Sequence, residues 1–232
     1  MHIHTAYNTP LPPYSVMIAL SLMLGIGVMY VLDRRGRVPA AVCRQLLLVS
    51  PVMCVICALG LTYITTGGSG VGLSSLGGLI GMYASVLMLA VINGDRTDAF
   101  TMFENCTLAL PLMYAVGKAG CTLAGCCRGF DYSGTMSIHY TGRTGDFVEF
   151  PVQPLESLVF IIIFAAGLLV HLRGRRAAVG VYISAAAAKF ILDFFRQSHS
   201  GAVISLTQVL CLALAALGAA SIAVFRFSTK NG

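Results

Sequence analysis

Residues 115–130 read AVGKAGCTLAGCCRGF, and they place a lysine, four glycines, three cysteines and an arginine at the end of a long apolar run. The run begins near residue 103 and is long enough to cross a membrane as a helix. Small residues in such a helix let a neighbouring backbone approach closely. Lys118 falls inside the run, where a cation costs about 3 kcal/mol and by default marks a functional site or its support. The stretch therefore predicts a closely packed membrane helix that carries a buried cation.

The composition of the whole chain predicts an integral membrane protein. Of the 232 residues, 57% are hydrophobic and 10% are charged, whereas about a quarter of the positions in a soluble domain carry charge. Hydropathy predicts an all-α polytopic fold of about seven transmembrane helices in one transmembrane domain, residues 1–232. The predicted spans are residues 15–32, 45–64, 76–93, 103–124, 155–172, 178–195 and 205–226.

The basic residues orient these spans. Ten of the fifteen lysines and arginines lie in segments 33–44, 94–101, 173–176 and 226–232, which all face one side of a seven-span chain. Short cytoplasmic loops are enriched in lysine and arginine, so we expect the N-terminus outside and the C-terminus inside. The net charge of +6 follows from this bias and from attraction to anionic lipid head groups, so it does not indicate nucleic-acid binding.

The longest polar segment, residues 128–154, is predicted to form a small extracytoplasmic cap. Ile138 and Tyr140 alternate with polar residues, and glycines and aspartates typical of turns lie on both sides. This pattern predicts a β-hairpin.

Several charged residues lie inside the predicted spans or at their outer ends: Lys118, Glu156, Lys189 and Asp193, followed by Arg128 and Arg196 at the interface. Lys189 and Asp193 are four residues apart and share a helix face, so a structural ion pair is one interpretation. Lys118 alone could extend its ammonium to the interface. If the fourth and sixth helices are neighbours, however, their cations converge at the depth of the lipid phosphates, and we expect a phosphate-binding cleft that is open to phospholipid.

Residues 117–129 resemble the signature of the bacterial prolipoprotein diacylglyceryl transferase family, roughly G-R-x-G-N-F-x-N-G-E-x-x-G. The four glycines of that signature are Gly117, Gly120, Gly125 and Gly129. Between them, the chain has Lys118 at the arginine position, Cys121 and Ala124 at the asparagines, and Cys126 at the glutamate.

Other segments resemble landmarks of the same family, in the same order. PPYSVMIALSLMLG contains Tyr14 at the position of a functional tyrosine, and SSLGGLIG contains Gly77 and Gly78 but has Leu76 where the family has histidine. PVQPLES is similar to P-x-Q-L-Y-E and ends in Glu156. KFILDFFRQ is similar to F-R-x-x-x-E-F-x-R-Q and supplies Lys189, Asp193 and Arg196.

The resemblance implies a multi-pass protein of the bacterial cytoplasmic (inner) membrane. It also implies transfer of a diacylglyceryl group from phosphatidylglycerol to the thiol of a prolipoprotein lipobox cysteine, with release of glycerol phosphate. No cofactor and no metal is expected. The reaction needs a thiolate and needs cations for the leaving phosphate.

Site roles follow from these needs. The candidate phosphate ligands are Lys118, Lys189, Arg196 and Arg128, while Tyr14, Glu156, Asp193 and the signature glycines are supporting residues. Leu76 cannot act as a base, so a desolvated lysine is the candidate. Lys118 is favoured over Lys189, because Asp193 would keep Lys189 charged and Lys118 has no partner evident in the sequence. His199, after the sixth span, is an alternative base.

Cys121, Cys126 and Cys127 form a separate group near the outer end of the fourth span. Their spacing matches neither the C-x-x-C redox motif nor a paired C-x-x-C zinc site. Packing of small residues is the favoured interpretation. The alternatives are a disulfide that involves Cys121, a reactive thiol that takes a lipid group, and a metal ligand.

Two other functions fit the same residues. Leu76 and the cysteines in the signature are compatible with a divergent family member that transfers a lipid group to another acceptor. Because a fold does not determine a function, a non-enzymatic phospholipid-binding membrane protein of the same fold is the second.

Overall fold

The computed structural model describes residues 1–5, 12–70, 72–94, 96–142 and 146–197, together with 208–209 and 212–213. In these residues there are six α-helices: α1 (Pro13–Arg35), α2 (Ala40–Thr65), α3 (Ser75–Asn93), α4 (Arg96–Ala124), α5 (Val152–Leu172) and α6 (Ala178–Asp193). Three short strands accompany them: β1 (His2–His4), β2 (Ile138–Thr141) and β3 (Phe147–Glu149). Most of the predicted seventh span, residues 205–226, and His199 lie outside the described residues.

Up to residue 195, each predicted span corresponds to a helix, but some of the helices begin or end at other residues than predicted. α1 to α5 are long and apolar enough to cross a membrane, whereas α6 has 16 residues and is shorter than the roughly 20 residues that a full crossing needs. α4 begins at Arg96 rather than near residue 103, because polar residues continue the helix before its apolar part. Pro51 and Pro111 lie inside α2 and α4 without ending either helix.

The chain forms two compact units. The first comprises residues 1–18, 115–166 and 179–232, and the second comprises residues 19–114 and 167–178. α1, α4 and α5 each contribute residues to both units.

The second unit contains a close approach between α2 and α3. A Cβ atom at Gly77 would lie 2.6 Å from the Cα of Ala58, and one at Gly81 would lie 2.7 Å from the Cα of Cys54. α3 therefore presents a small-residue face to α2 at these two glycines, since any larger residue would separate the backbones. Gly78 is different, because a Cβ atom there would meet nothing within 4 Å.

The first unit contains a three-stranded sheet in the order β1-β2-β3. β2 and β3 pair antiparallel, so the hairpin predicted for residues 128–154 is present. β1 adds a parallel strand in which Ile3 pairs with Tyr140. The Tyr140 hydroxyl donates a 2.9 Å hydrogen bond to the carbonyl of Thr122 and so attaches the sheet to the last turn of α4.

Candidate active site

Glu156 is the centre of a buried charge cluster in the first unit. Its Oε2 atom lies 2.9 Å from Lys118 Nζ and 3.0 Å from Arg196 Nη2, and its Oε1 atom lies 3.0 Å from Lys189 Nζ. The Glu156 side chain is 0% exposed, and those of Lys118 and Lys189 are 6% and 9% exposed. Cations from α4 and from α6 with its following turn therefore converge, as expected, and they do so on a carboxylate from α5.

Short-range spacing explains how α6 presents its charges. Lys189 and Asp193 lie one turn apart on the buried face of the helix, and Arg196 follows in the turn after its last residue. The Asp193 Oδ1 atom is 3.7 Å from both Lys189 Nζ and Arg196 Nε. The predicted pairing of Lys189 with Asp193 is present, but Glu156 is nearer to the Lys189 ammonium.

Lys118, which has no partner evident in the sequence, has one in the structure. Its ammonium contacts Glu156, which lies 38 residues later in the chain and one turn into α5. An ammonium held in an ion pair has no electron pair with which to accept a proton. The geometry therefore favours Lys118 as an anion ligand over Lys118 as a base.

Arg128 occupies a different setting from the other three cations. Its guanidinium carbon lies 3.7 Å from the centre of the Phe147 ring, and its Nε atom lies 3.6 Å from Glu149 Oε2. Burial raises the pKa of the Glu149 carboxyl, while the hydrogen bond from Gln153 and the charge of Arg128 oppose that shift. The side chain of Arg128 thus contacts the sheet, although its carbonyl accepts a 3.0 Å hydrogen bond from the amide of Gln197, next to Arg196.

The signature glycines allow close contacts around this cluster. A Cβ atom at Gly120 would lie 2.7 Å from Met17 Cβ and 3.6 Å from the ring of Tyr14, so α1 and α4 approach closely here. The predicted supporting residue Tyr14 therefore lies against the signature helix. A Cβ atom at Gly117 would have one neighbour within 4 Å, the Ile18 side chain at 3.7 Å. At Gly129, an added Cβ atom would overlap the Phe150 carbonyl.

The comparison with protein families identifies the family of this chain. The model of the prolipoprotein diacylglyceryl transferase family matches residues 3–224, nearly the whole chain. This chain belongs to that family. It is therefore a multi-pass bacterial membrane protein and a transferase of the prolipoprotein diacylglyceryl type. No curated protein matches it in sequence.

In this family member, the three cysteines of the signature meet where α4 ends and the chain turns. α4 ends at Ala124, and Gly125 and Cys127 have φ values of +66° and +57°, so the chain folds back. The Sγ atoms of Cys121 and Cys127 are 3.9 Å apart, and with that of Cys126 all three lie within 4.8 Å of one another. All three cysteines are free, so the disulfide alternative is not realised in the structure. The helix ends inside the group, so the turn that follows it brings the thiols together.

The thiols of this group differ in exposure and in acidity. Cys121 is buried, whereas Cys127 is exposed. Hydrogen bonds from the Cys121 and Cys126 thiols lower the pKa of the Cys127 thiol, and the charges of Lys118 and Arg196 act in the same direction.

Two polar residues that sequence reasoning did not single out hold this turn. The Gln153 Nε2 atom donates to the Cys126 carbonyl at 3.0 Å and to Glu149 Oε1 at 2.6 Å. Glu149 Oε2 in turn accepts the amide of Gly129 at 3.1 Å. The signal for Gln153 was its position three residues before Glu156 on one helix face.

The residues predicted as supporting divide between the two units. Gly77 and Gly78 belong to the second unit, as does Leu76, which directly precedes them. Tyr14, Glu156 and Asp193 belong to the first, as do the candidate phosphate ligands.

Proposed function

We propose that this chain transfers a diacylglyceryl group from phosphatidylglycerol to the thiol of a prolipoprotein lipobox cysteine and releases glycerol phosphate. It does so in the bacterial cytoplasmic membrane, as a single domain of seven spans with its N-terminus outside and residues 128–154 as an extracytoplasmic cap. The observation that carries the proposal is the cluster around Glu156. Its five side chains, three cations and two carboxylates, have a net charge of +1 in a buried setting.

A net positive charge of this kind suits a phosphodiester, which carries one negative charge. An ammonium has three N–H donors, so Lys118 and Lys189 can each contact Glu156 and a phosphate oxygen together. Arg196 adds a planar fork that matches two oxygens of one phosphate. Glu156 positions the three cations before the lipid arrives, which reduces the cost of ordering them during the reaction.

The cations also assist the chemical step. The acceptor sulfur attacks the glyceryl carbon, the C–S bond forms, and the C–O bond to the phosphate breaks with its electron pair on the phosphate oxygen. Negative charge on the phosphate therefore increases toward the transition state. Lys118, Lys189 and Arg196 interact more strongly with that state than with the bound lipid, and this difference lowers the barrier.

The test is a transfer assay with the purified full-length chain, phosphatidylglycerol and a labelled lipobox peptide, read by mass spectrometry of the peptide. We expect diacylglyceryl on the peptide cysteine and no product with a serine peptide. Lys118→Met and Lys189→Met each remove one charged contact to phosphate, worth about 1.5–3 kcal/mol, so kcat/KM falls roughly 10- to 150-fold.

Arg176→Met is the matched control, because it removes a cation that is 72% exposed and lies in the other unit. Transfer that is unchanged in Lys118→Met and Lys189→Met would disprove the role given to the cluster. Phosphatidylglycerol that stays bound to the protein without any peptide product would instead support a lipid-binding function.

A further inference from the structure

The sulfur positions at the end of α4 and in the turn after it match the spacing of metal-bound thiolates. Two sulfur atoms at about 2.3 Å from a zinc ion, in tetrahedral geometry, are about 3.8 Å apart. The Cys121 and Cys127 Sγ atoms are separated by 3.9 Å, and Cys126 Sγ completes a group within 4.8 Å. The three sulfur atoms are therefore close enough together to bind one ion.

The turn is also held in place before any ion binds. Cys127 has a left-handed backbone, which costs a residue other than glycine about 1–2 kcal/mol and needs support from its surroundings. That support comes from the Cys126 amide, which donates to the Cys121 carbonyl at 3.3 Å, and from the hydrogen bond of Gln153 to the Cys126 carbonyl. A site whose ligands are fixed by neighbouring hydrogen bonds binds its ion more tightly.

Exposure changes across the group in a way that suits a site open on one side. Cys121 is buried, Cys126 is intermediate and Cys127 is exposed. Among the residues that the structure describes, these three thiols form a group that could together hold a metal ion. Structural zinc sites have four protein ligands, whereas catalytic sites have three and keep one position for water or substrate.

We propose that Cys121, Cys126 and Cys127 bind a zinc ion and that its fourth coordination position takes the acceptor thiol. The second half of this inference rests on the proposed function. The acceptor cysteine must become a thiolate, Leu76 has no group that accepts a proton, and Lys118 is ion-paired with Glu156. A thiol that coordinates zinc loses its proton outright.

The acceptor thiol binds zinc as a thiolate and its proton passes to solvent. The sulfur electron pair then forms the C–S bond to the glyceryl carbon as the C–O bond breaks, and glycerol phosphate leaves with the electron pair. The product thioether is a neutral and weaker ligand, so it dissociates from the ion. The signature turn lies beside the cations of the phosphate cluster, because the backbone of Gly129 pairs with that of Arg196.

The first experiment measures metal binding alone. Full-length protein in detergent is stripped with a chelator under reducing conditions and titrated with Zn²⁺, and separately with Co²⁺, whose thiolate charge-transfer absorption reports sulfur ligands. We expect one ion per chain. Cys121→Ser, Cys126→Ser and Cys127→Ser should each weaken Zn²⁺ binding by at least about 100-fold, since loss of a neighbouring hydrogen bond alone costs a zinc site 10- to 100-fold.

Cys57→Ser is the matched control, because Cys57 is a partly exposed free thiol in α2 outside the group. Cys127 is exposed, so its serine variant keeps the packing of the turn and serves if Cys121→Ser does not fold. Equal Zn²⁺ affinity in Cys57→Ser and Cys127→Ser would overturn the site, as would a disulfide between Cys121 and Cys127 in protein purified without reductant.

The second experiment tests the open position. Addition of a lipobox peptide to the Co²⁺ form should shift the thiolate absorption, and the serine peptide should leave it unchanged. Transfer should be lost on chelation and restored by Zn²⁺. Transfer that persists in metal-free protein would overturn the activating role. Absence of transfer in both forms would refute the proposed function, while the peptide-induced shift would still decide whether the ion binds a thiol.

Discussion

Replacement of Glu156 by glutamine is the sharpest test of the charge cluster. The substitution keeps the shape of the side chain but removes a charge that contacts three cations at 2.9 to 3.0 Å. Asp193 is then the remaining carboxylate in contact with Lys189 and Arg196, at 3.7 Å from each. Within this cluster, three positive charges would then face one negative charge.

The expected loss of stability is large because the group is buried. Removing one partner of a buried ion pair costs about 3–5 kcal/mol, since the other charge is left without compensation. Glu156 is 0% exposed and serves three partners, so we expect Glu156→Gln to reach that range. Glu104→Gln is the matched control. Its pair with Arg176 spans 4.0 Å and Arg176 is 72% exposed, so its loss should cost about 1 kcal/mol or less.

The assay is reversible unfolding in mixed micelles, followed by circular dichroism, with the free energy of unfolding compared between variants. The double variant Glu156→Gln/Lys118→Met removes one of the uncompensated cations, so it should be more stable than Glu156→Gln alone. If Glu156→Gln lies within 1 kcal/mol of the Glu104→Gln control, or if the Lys118 substitution adds a further loss, the cluster is not held together by charge and the reasoning fails.

Two further predictions concern packing. Gly81→Ala should lower the free energy of unfolding by about 1–3 kcal/mol through overpacking, because its Cβ atom would lie 2.7 Å from the Cα of Cys54. Gly78→Ala should be neutral or slightly stabilising, since nothing lies within 4 Å and alanine favours helix. Equal losses in the two variants, measured by the same unfolding assay, would contradict the close approach of α2 and α3. Tyr140→Phe removes the buried hydrogen bond to Thr122 and should cost about 1–3 kcal/mol, and an unchanged unfolding curve would show that this bond does not hold the sheet.

Local sequence was sufficient to place six helices, of which α1 to α5 are long and apolar enough to cross a membrane. Hydropathy is summed over neighbouring residues, so six predicted spans correspond to α1 to α6. Their ends were less well predicted, because hydropathy does not detect polar helical turns such as residues 96–102 at the start of α4. The alternation that predicts the hairpin is also local, and β2 and β3 pair accordingly.

The members of the charge cluster were predicted, but their contacts were not. Lys118, Glu156 and Lys189 were recognised because charge is rare inside apolar spans, and Arg196 because it follows the sixth span at the interface. Glu156 is the shared partner because of the way α4, α5 and α6 pack together. Residue spacing within one helix carries no information about that packing. The same reason explains why no partner of Lys118 was evident in the sequence, since that partner lies in another helix.

The sequence by itself determined the class of protein, the positions of the helices and the residues that carry charge into them, since each of these depends on composition or on short-range periodicity. Only the tertiary structure decided which charges share a carboxylate and that three thiols meet. The thiols meet because α4 ends at Ala124 and two left-handed residues, Gly125 and Cys127, reverse the chain. That reversal is supported by residues from β2 and α5, and contacts between segments so far apart in the chain are set by packing of the whole unit rather than by local sequence.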